Sequence, residues 1–137
     1  MSNFKKFKTN HKVRPDDIDM FNHVHNSKYL DYVLAARYEQ MELYYGMSME
    51  KFLELGYGWV VHKVHIEYKR PLQLSDTFEV ETGIVDITSR GCKVEFTITN
   101  LKTNKTSTIG WFYFIMINLK TGKSISIPEE VVKLYSI

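Results

Sequence analysis

Apolar and polar side chains alternate with two different periods along this chain, and the change between them separates one long helix from a set of strands. Phe7, Thr9, His11 and Val13 alternate with Lys6, Lys8, Asn10 and Lys12, the pattern of a half-solvated strand, which Pro15 ends. Residues 16–26 form a polar loop. From Lys28 to about Tyr45 the period becomes helical. Lys28, Asp31, Glu39 and Glu42 share one narrow sector, while Leu30, Val33, Leu34, Tyr38, Met41, Tyr44 and Tyr45 cover a wide arc. Asn26 or Ser27 is placed to cap this helix and Gly46 to end it. So wide an apolar arc predicts a helix buried on most sides and wrapped by a curved sheet. Met49 to Leu55 reads as a short second helix, broken by Gly56 and Gly58.

After Gly58 the period returns to two. Val60, His62, Val64, Ile66 and Tyr68 are expected on one face and Val61, Lys63, His65 and Glu67 on the other. Phe78, Val80, Thr82 and Ile84 repeat the pattern, as do Cys92, Val94, Phe96 and Ile98. The last strand, from about Thr106 to Leu119, is apolar on both faces: Phe112, Phe114 and Met116 on one, Ile109, Trp111, Tyr113, Ile115 and Ile117 on the other. A strand of that kind is covered twice. The long helix supplies one cover, and a second subunit is the simplest source of the other. One strand, one long helix and four strands predict an α+β domain with an antiparallel sheet around the helix.

Bulk properties narrow the function. A chain of 137 residues is read as one domain, and its 44% hydrophobic and 25% charged residues argue against disorder. A formal charge of +2 with scattered lysines argues against a nucleic-acid partner. The lone Cys92 rules out an intrachain disulfide and fits a reducing compartment. Its place in an alternating strand suggests a buried filler. The lysine-rich segment 1–10 lacks the apolar core of a signal peptide, and no run approaches a membrane span, so a cytoplasmic location is expected.

The chemistry concentrates where the polar loop enters the helix. Asp16, Asp17 and Asp19 stand just upstream of a helix N-terminus, whose unpaired N–H groups and partial positive charge can polarise a carbonyl oxygen while a carboxylate attacks the same carbon or activates water against it. The competing reading is that these aspartates only form turns and caps.

Arg14, Asp17-x-Asp19, His23-Val24-x-Asn26 and Tyr29, followed by Ala36-Arg37-x-Glu39, resemble the 4-hydroxybenzoyl-CoA thioesterase-like branch of the hotdog-fold acyl-CoA thioesterases. Tyr68-x-Arg70-Pro71, Ser75-Asp76 and Ile127-Pro128-Glu129-Glu130 are similar to later motifs of that branch, so the resemblance spans nearly the whole chain. It implies a hotdog fold, a homodimer or dimer of dimers with sheets paired edge to edge, no cofactor, and hydrolysis of an acyl-CoA to a carboxylic acid and free CoA. Carried over by position, Asp19 is the catalytic carboxylate, acting as nucleophile or general base, and the Asn26 N–H is the oxyanion donor. His23, Val24, His25 and Tyr29 are expected to contact substrate, with Lys69, Arg70 and Arg90 as candidates for the CoA phosphates. Two departures from the family pattern bear on loop shape: Asn22, where glycine is common, and His25, where asparagine is often found.

Other readings compete with these. An acyl carrier protein in place of CoA, or an acyl-binding dimer without catalysis, would keep the fold. His23-x-His25 beside two aspartates suggests a metal, yet no third His or Cys sits at ligand spacing, so none is expected. His62 reads as a core histidine on the face opposite His65. Arg37 and Gln40 interrupt the apolar arc and need buried partners; for Arg37 the loop acid Asp17 is the expected one. Trp59, Trp111, Phe112, Phe114, Tyr44 and Tyr45 are either core or the wall of an acyl tunnel.

Overall fold

Five strands form one antiparallel sheet in the order β1-β3-β4-β5-β2: β1 (Lys6–Lys12), β2 (Tyr57–Tyr68), β3 (Thr77–Ile87), β4 (Gly91–Asn100) and β5 (Lys105–Asn118). They are seen in a computed structural model that describes residues 4–137; Met1, Ser2 and Asn3, the start of the lysine-rich segment, lie outside the described residues. Helix α1 (Lys28–Gln40) runs on through a wider π-helical turn, Met41–Tyr45, and Gly46 ends it at φ 76°, a left-handed position that glycine takes without penalty. Two short helices, α2 (Met49–Glu54) and α3 (Glu129–Tyr135), close the end of the core beyond α1.

The inner face of the sheet follows the alternation closely. Phe78, Val80, Thr82 and Ile84 of β3 and Cys92, Val94, Phe96 and Ile98 of β4 are all buried, with Phe112, Phe114 and Met116 of β5 beside them. Helix α1 lays Tyr29, Tyr32, Val33, Ala36, Arg37 and Gln40 on this surface, a single stripe at helical spacing. The expectation of a helix buried on most sides is therefore corrected for the single chain, since Tyr38, Leu43 and Tyr44 are exposed.

The two polar residues of the stripe bond to the sheet, not to the loop. Gln40 Nε2 donates to Thr9 Oγ1 (3.0 Å) and to the Val80 carbonyl (3.1 Å), and its Oε1 accepts the Thr82 hydroxyl. Arg37 Nη1 donates to Thr82 Oγ1 and Tyr45 Oη, both at 3.1 Å, and the guanidinium lies 4.6 Å over the Tyr45 ring. The expected pairing of Arg37 with Asp17 is not made. Cys92 is a buried filler as expected, and burial pushes its thiol up to about 11.

Register shifts overturn three face assignments. The β2–β5 pairing skips His62, so Trp59 and Val61, opposite Met116 and Phe114, join the inner face with Val64, Ile66 and Tyr68, while Val60 turns outward. His62 is exposed, not core, with its ring 6.3 Å from that of Tyr113; His65 stacks on Trp111, so both imidazoles stand against outer-face aromatics. Gly58 lies inside β2 instead of ending α2. The doubly apolar β5 lies between β4 and the edge strand β2, and its outer face is only half covered in the single chain, with Lys93 Nζ 4.6 Å over the Trp111 ring. Tyr44 stacks on Phe7 at the surface, so neither it nor Trp111 lines an interior tunnel.

Candidate active site

The loop between β1 and α1 is built by its aspartates in two different ways. Asp17, buried in the 3₁₀ turn Pro15–Asp17, accepts the Tyr32 hydroxyl at 2.6 Å and lies 3.9 Å from Arg14 Nε, and its carbonyl takes the His25 N–H (2.9 Å). It ties the loop to the first turns of α1. Asp19 organises the loop tip. Its Oδ1 accepts the N–H groups of Phe21 (2.8 Å) and His23 (3.1 Å), and its own N–H reaches the His23 carbonyl (2.8 Å).

Those donations, the His23 N–H first and Phe21 second, hold the Asp19 carboxyl below the usual carboxylate range. Among the described residues its Oδ2 has no protein donor. Asn22 crowns the tip at φ 59°, the left-handed conformation a glycine would adopt, so the departure from the family pattern leaves the turn intact. Its Oδ1 also accepts the Leu74 N–H (3.2 Å), joining the tip to the β2–β3 connection.

At the start of α1 the cap differs from expectation. Ser27 occupies the N-cap position but makes no side-chain cap bond. His25 does the capping: its Nδ1 accepts the Ser27 N–H (3.3 Å) and lies 2.9 Å from Ser27 Oγ, while its carbonyl takes the Lys28 N–H (2.9 Å). An imidazole nitrogen here does the work that the side-chain oxygen of an asparagine does elsewhere. The Asn26 N–H is left with no protein acceptor among the described residues, and the Asn26 carbonyl receives the Tyr68 hydroxyl (3.1 Å).

Asp19, His23, Val24, His25, Asn26, Tyr29, Tyr68, Lys69, Arg70 and Pro71 line one open cleft of about 440 Å³. The fold thus gathers every site residue expected from the sequence except Arg90. That arginine lies in the β3–β4 turn at the far end of β3 and donates to Ser124 Oγ (2.9 Å). Tyr29 is buried, and its hydroxyl accepts the Leu72 N–H (3.0 Å). Lys69 and Arg70 both give their backbone N–H to the Ser107 carbonyl (2.8 and 3.0 Å), which a bulge in β5 turns toward the chain leaving β2. Tyr68 and Pro71 were legible as family motif but not as site residues. The bond from Tyr68 to Asn26 joins positions 42 residues apart, which no local pattern reveals. No group of three or more His, Cys, Asp or Glu among the described residues is placed to hold a metal.

The chain is similar to proteins of known name. It is 26% identical over 120 residues to the long-chain acyl-CoA thioesterase FadM of Escherichia coli (strain K12), covering 88% of this chain and 89% of that one. The DHNA-CoA thioesterase of Staphylococcus aureus superposes with a TM-score of 0.89 at 19% identity, over 96% of this chain and 89% of its own. Another Staphylococcus aureus protein, solved in complex with CoA, gives 0.85 at 22% identity over 98% and 83%. At these identities the structural likeness shows the hotdog fold. The sequence pattern of the thioesterase-like superfamily matches residues 13–134, nearly the whole chain, and this protein belongs to that superfamily.

Proposed function

We propose that the protein hydrolyses an acyl-CoA thioester to a carboxylic acid and free CoA without a cofactor, with Asp19 as the reacting carboxylate and the Asn26 N–H as oxyanion donor. The carrying observation is that one unengaged carboxylate oxygen and one unengaged N–H share a single cleft at the positive end of α1. Asp19 Oδ2 attacks the thioester carbon and the C–S bond breaks, releasing the CoA thiolate, which takes a proton from solvent; water then opens the mixed anhydride to the carboxylic acid and restores Asp19. Alternatively Asp19 orients that water for direct attack, which expels the same thiolate. On either route negative charge gathers on the carbonyl oxygen, where the Asn26 N–H and the helix terminus stabilise it. A carboxyl held this firmly ionised is a weak proton acceptor, which favours attack or orientation over bulk base catalysis.

We further infer a homodimer, paired along the free edge of β2. Among the described residues that strand is hydrogen-bonded on one side only, to β5, and its Val60, Val61, Val64 and Tyr68 are exposed. The inner face of β2 beside α1, reached from the cleft at Tyr29 and Tyr68 and bounded further on by Tyr38 and Trp59, is the surface we assign to the acyl chain. A cytoplasmic location suits the single buried thiol. No helix among the described residues is long and apolar enough to cross a membrane.

Thiol release from a panel of acyl-CoAs, by wild type and Asp19→Asn, tests the assignment. The amide oxygen of Asn keeps both loop hydrogen bonds, so the variant removes charge without opening the turn. We expect a fall in kcat of about a hundredfold or more, with the fold retained. Equal turnover in both proteins would remove Asp19 from the mechanism, and binding of acyl-CoA without thiol release would make the protein a binding dimer.

A further inference from the structure

Beside the cleft at Asp19, across Arg70 and Pro71, which line both, lies a second groove of about 340 Å³ whose other lining residues are Gln73, Asp76, Asn100, Lys102, Thr103, Lys105 and Ser107. Its far wall is the β4–β5 hairpin. The hairpin is held rigidly: the Leu101 N–H bonds the Thr77 carbonyl (2.9 Å), the Ser107 hydroxyl bonds the Arg70 carbonyl (2.7 Å), and Asn104 takes a left-handed φ of 57° at the tip. Charge is concentrated here. Lys69, Arg70, Lys102 and Lys105 surround the two grooves, in a chain whose net charge is only +2.

The one carboxylate facing the cations of the second groove, Asp76, is already engaged. Its Oδ2 accepts the Gln73 N–H (2.8 Å) and Asn100 Nδ2 (3.1 Å), and its Oδ1 lies 3.6 Å from Lys102 Nζ. Lys105 has no carboxylate within 4 Å among the described residues, and Arg70 uses Nη1 on the Thr106 carbonyl (3.0 Å), leaving the rest of its guanidinium fork available. Tyr68 of the first cleft pairs with Thr108, and Lys105 lies three residues further along β5, about 10 Å at strand rise. A flexible linker of that reach ends among two lysines, an arginine and the Thr103 hydroxyl, a donor set that suits a phosphate.

We propose that this groove receives the phosphorylated nucleotide end of CoA, with Arg70, Lys102 and Lys105 as its phosphate contacts, so that Lys102 and Lys105 set the preference for a CoA-borne acyl group. The proposal rests on the thioesterase reading of the Asp19 cleft. A concave groove adjoining that cleft through Arg70 and Pro71 suits a nucleotide better than the convex face of an acidic carrier protein, which would need a flat basic surface.

Two variants test it: Lys105→Ala, which breaks no contact seen in the fold, and Lys102→Gln with Lys105→Ala. Adenosine 3′,5′-bisphosphate, the nucleotide portion alone, is expected to bind wild type by calorimetry and to bind the double variant about tenfold more weakly. The KM for acyl-CoA should rise by a similar factor, with kcat retained and a shallower dependence on ionic strength. Unchanged nucleotide binding and KM in both variants would overturn the proposal. A loss confined to an acyl carrier protein substrate would overturn it too, in favour of a protein partner. The N-acetylcysteamine thioester of the same acyl group reports on the Asp19 cleft separately. If wild type hydrolyses neither it nor acyl-CoA, the thioesterase reading fails, while nucleotide calorimetry still decides the groove.

Discussion

Ser75 holds φ 69°, in the left-handed region, one residue before Asp76. Such a conformation costs a non-glycine residue roughly 1–2 kcal/mol, more than the 0.4–1 kcal/mol of unfolded-state entropy that a glycine adds. Ser75→Gly should therefore stabilise the protein by about 0.5–1 kcal/mol, read as a higher urea midpoint at unchanged slope. The Asp19 carboxyl makes a pH prediction. Because its N–H donors favour the charged form, its folded value lies below the ordinary one near 4, and it protonates only as pH falls through that lowered value. Both kcat/KM and the loop's share of stability should hold from neutrality to about pH 4 and decline below it. An acid limb near pH 6 would instead assign the limiting titration to an imidazole. Spacing left the loop aspartates open between caps and chemistry; the family resemblance pointed to Asp19 and Asn26, which the fold brings to one cleft. Neither showed that His25 caps the helix, because cap preferences rest on side-chain oxygens and an imidazole nitrogen in that role carries no statistical signal.

Helix α1 meets the sheet through a polar layer as well as an apolar one. Gln40 is fully buried and bonds Thr9, Val80 and Thr82 at once, so Gln40→Leu removes three hydrogen bonds; Thr9 keeps His11 Nε2 and Thr82 keeps Arg37 Nη1, but the Thr82 hydroxyl proton loses its acceptor where water cannot replace the amide. At about 1–3 kcal/mol for a group left unsatisfied, the variant should lose roughly 1–3 kcal/mol, part being offset by the added apolar burial. Its urea midpoint measures this directly; a change under 0.5 kcal/mol would mean the layer is not formed in solution. The polar interruptions at Arg37 and Gln40 were visible in the sequence, but their partners were not, since Thr9 and Thr82 lie on different strands and look like ordinary alternating positions. Elements with strong periodicity were legible to within a few residues. What escaped was the bulge at His62, which inverts the faces of half of β2 without any change in composition, and α3, whose Pro128 start and acidic first turn were signals in a stretch of only seven residues.

At the scale of the whole molecule, the sheet has two unequal edges. β1 is short, carries lysines at 6, 8 and 12, and is blunted as natural edges are. β2 is twelve residues long, with exposed valines at 60, 61 and 64 and a free backbone ladder. Such an edge is seldom left open, because it templates pairing with any other strand. In the proposed dimer a second copy meeting it edge to edge would satisfy the ladder and cover the inner-face residues Val61 and Val64. It would also close the open side of the surface proposed for the acyl chain, which in one chain lies bare beside α1. On that proposal function and assembly are coupled through one strand. Val61→Asp or Val64→Asp places a charge in that interface and tests the coupling. Sedimentation at micromolar concentration should show dimer for wild type and monomer for the variants, with far-UV circular dichroism unchanged. Turnover of a long acyl-CoA should fall at least tenfold in the monomer, while a short acyl-CoA, which needs little of the channel, should lose less. Wild type sedimenting as a monomer with full activity would show that the cleft works within one chain and that the bare edge of β2 serves something else.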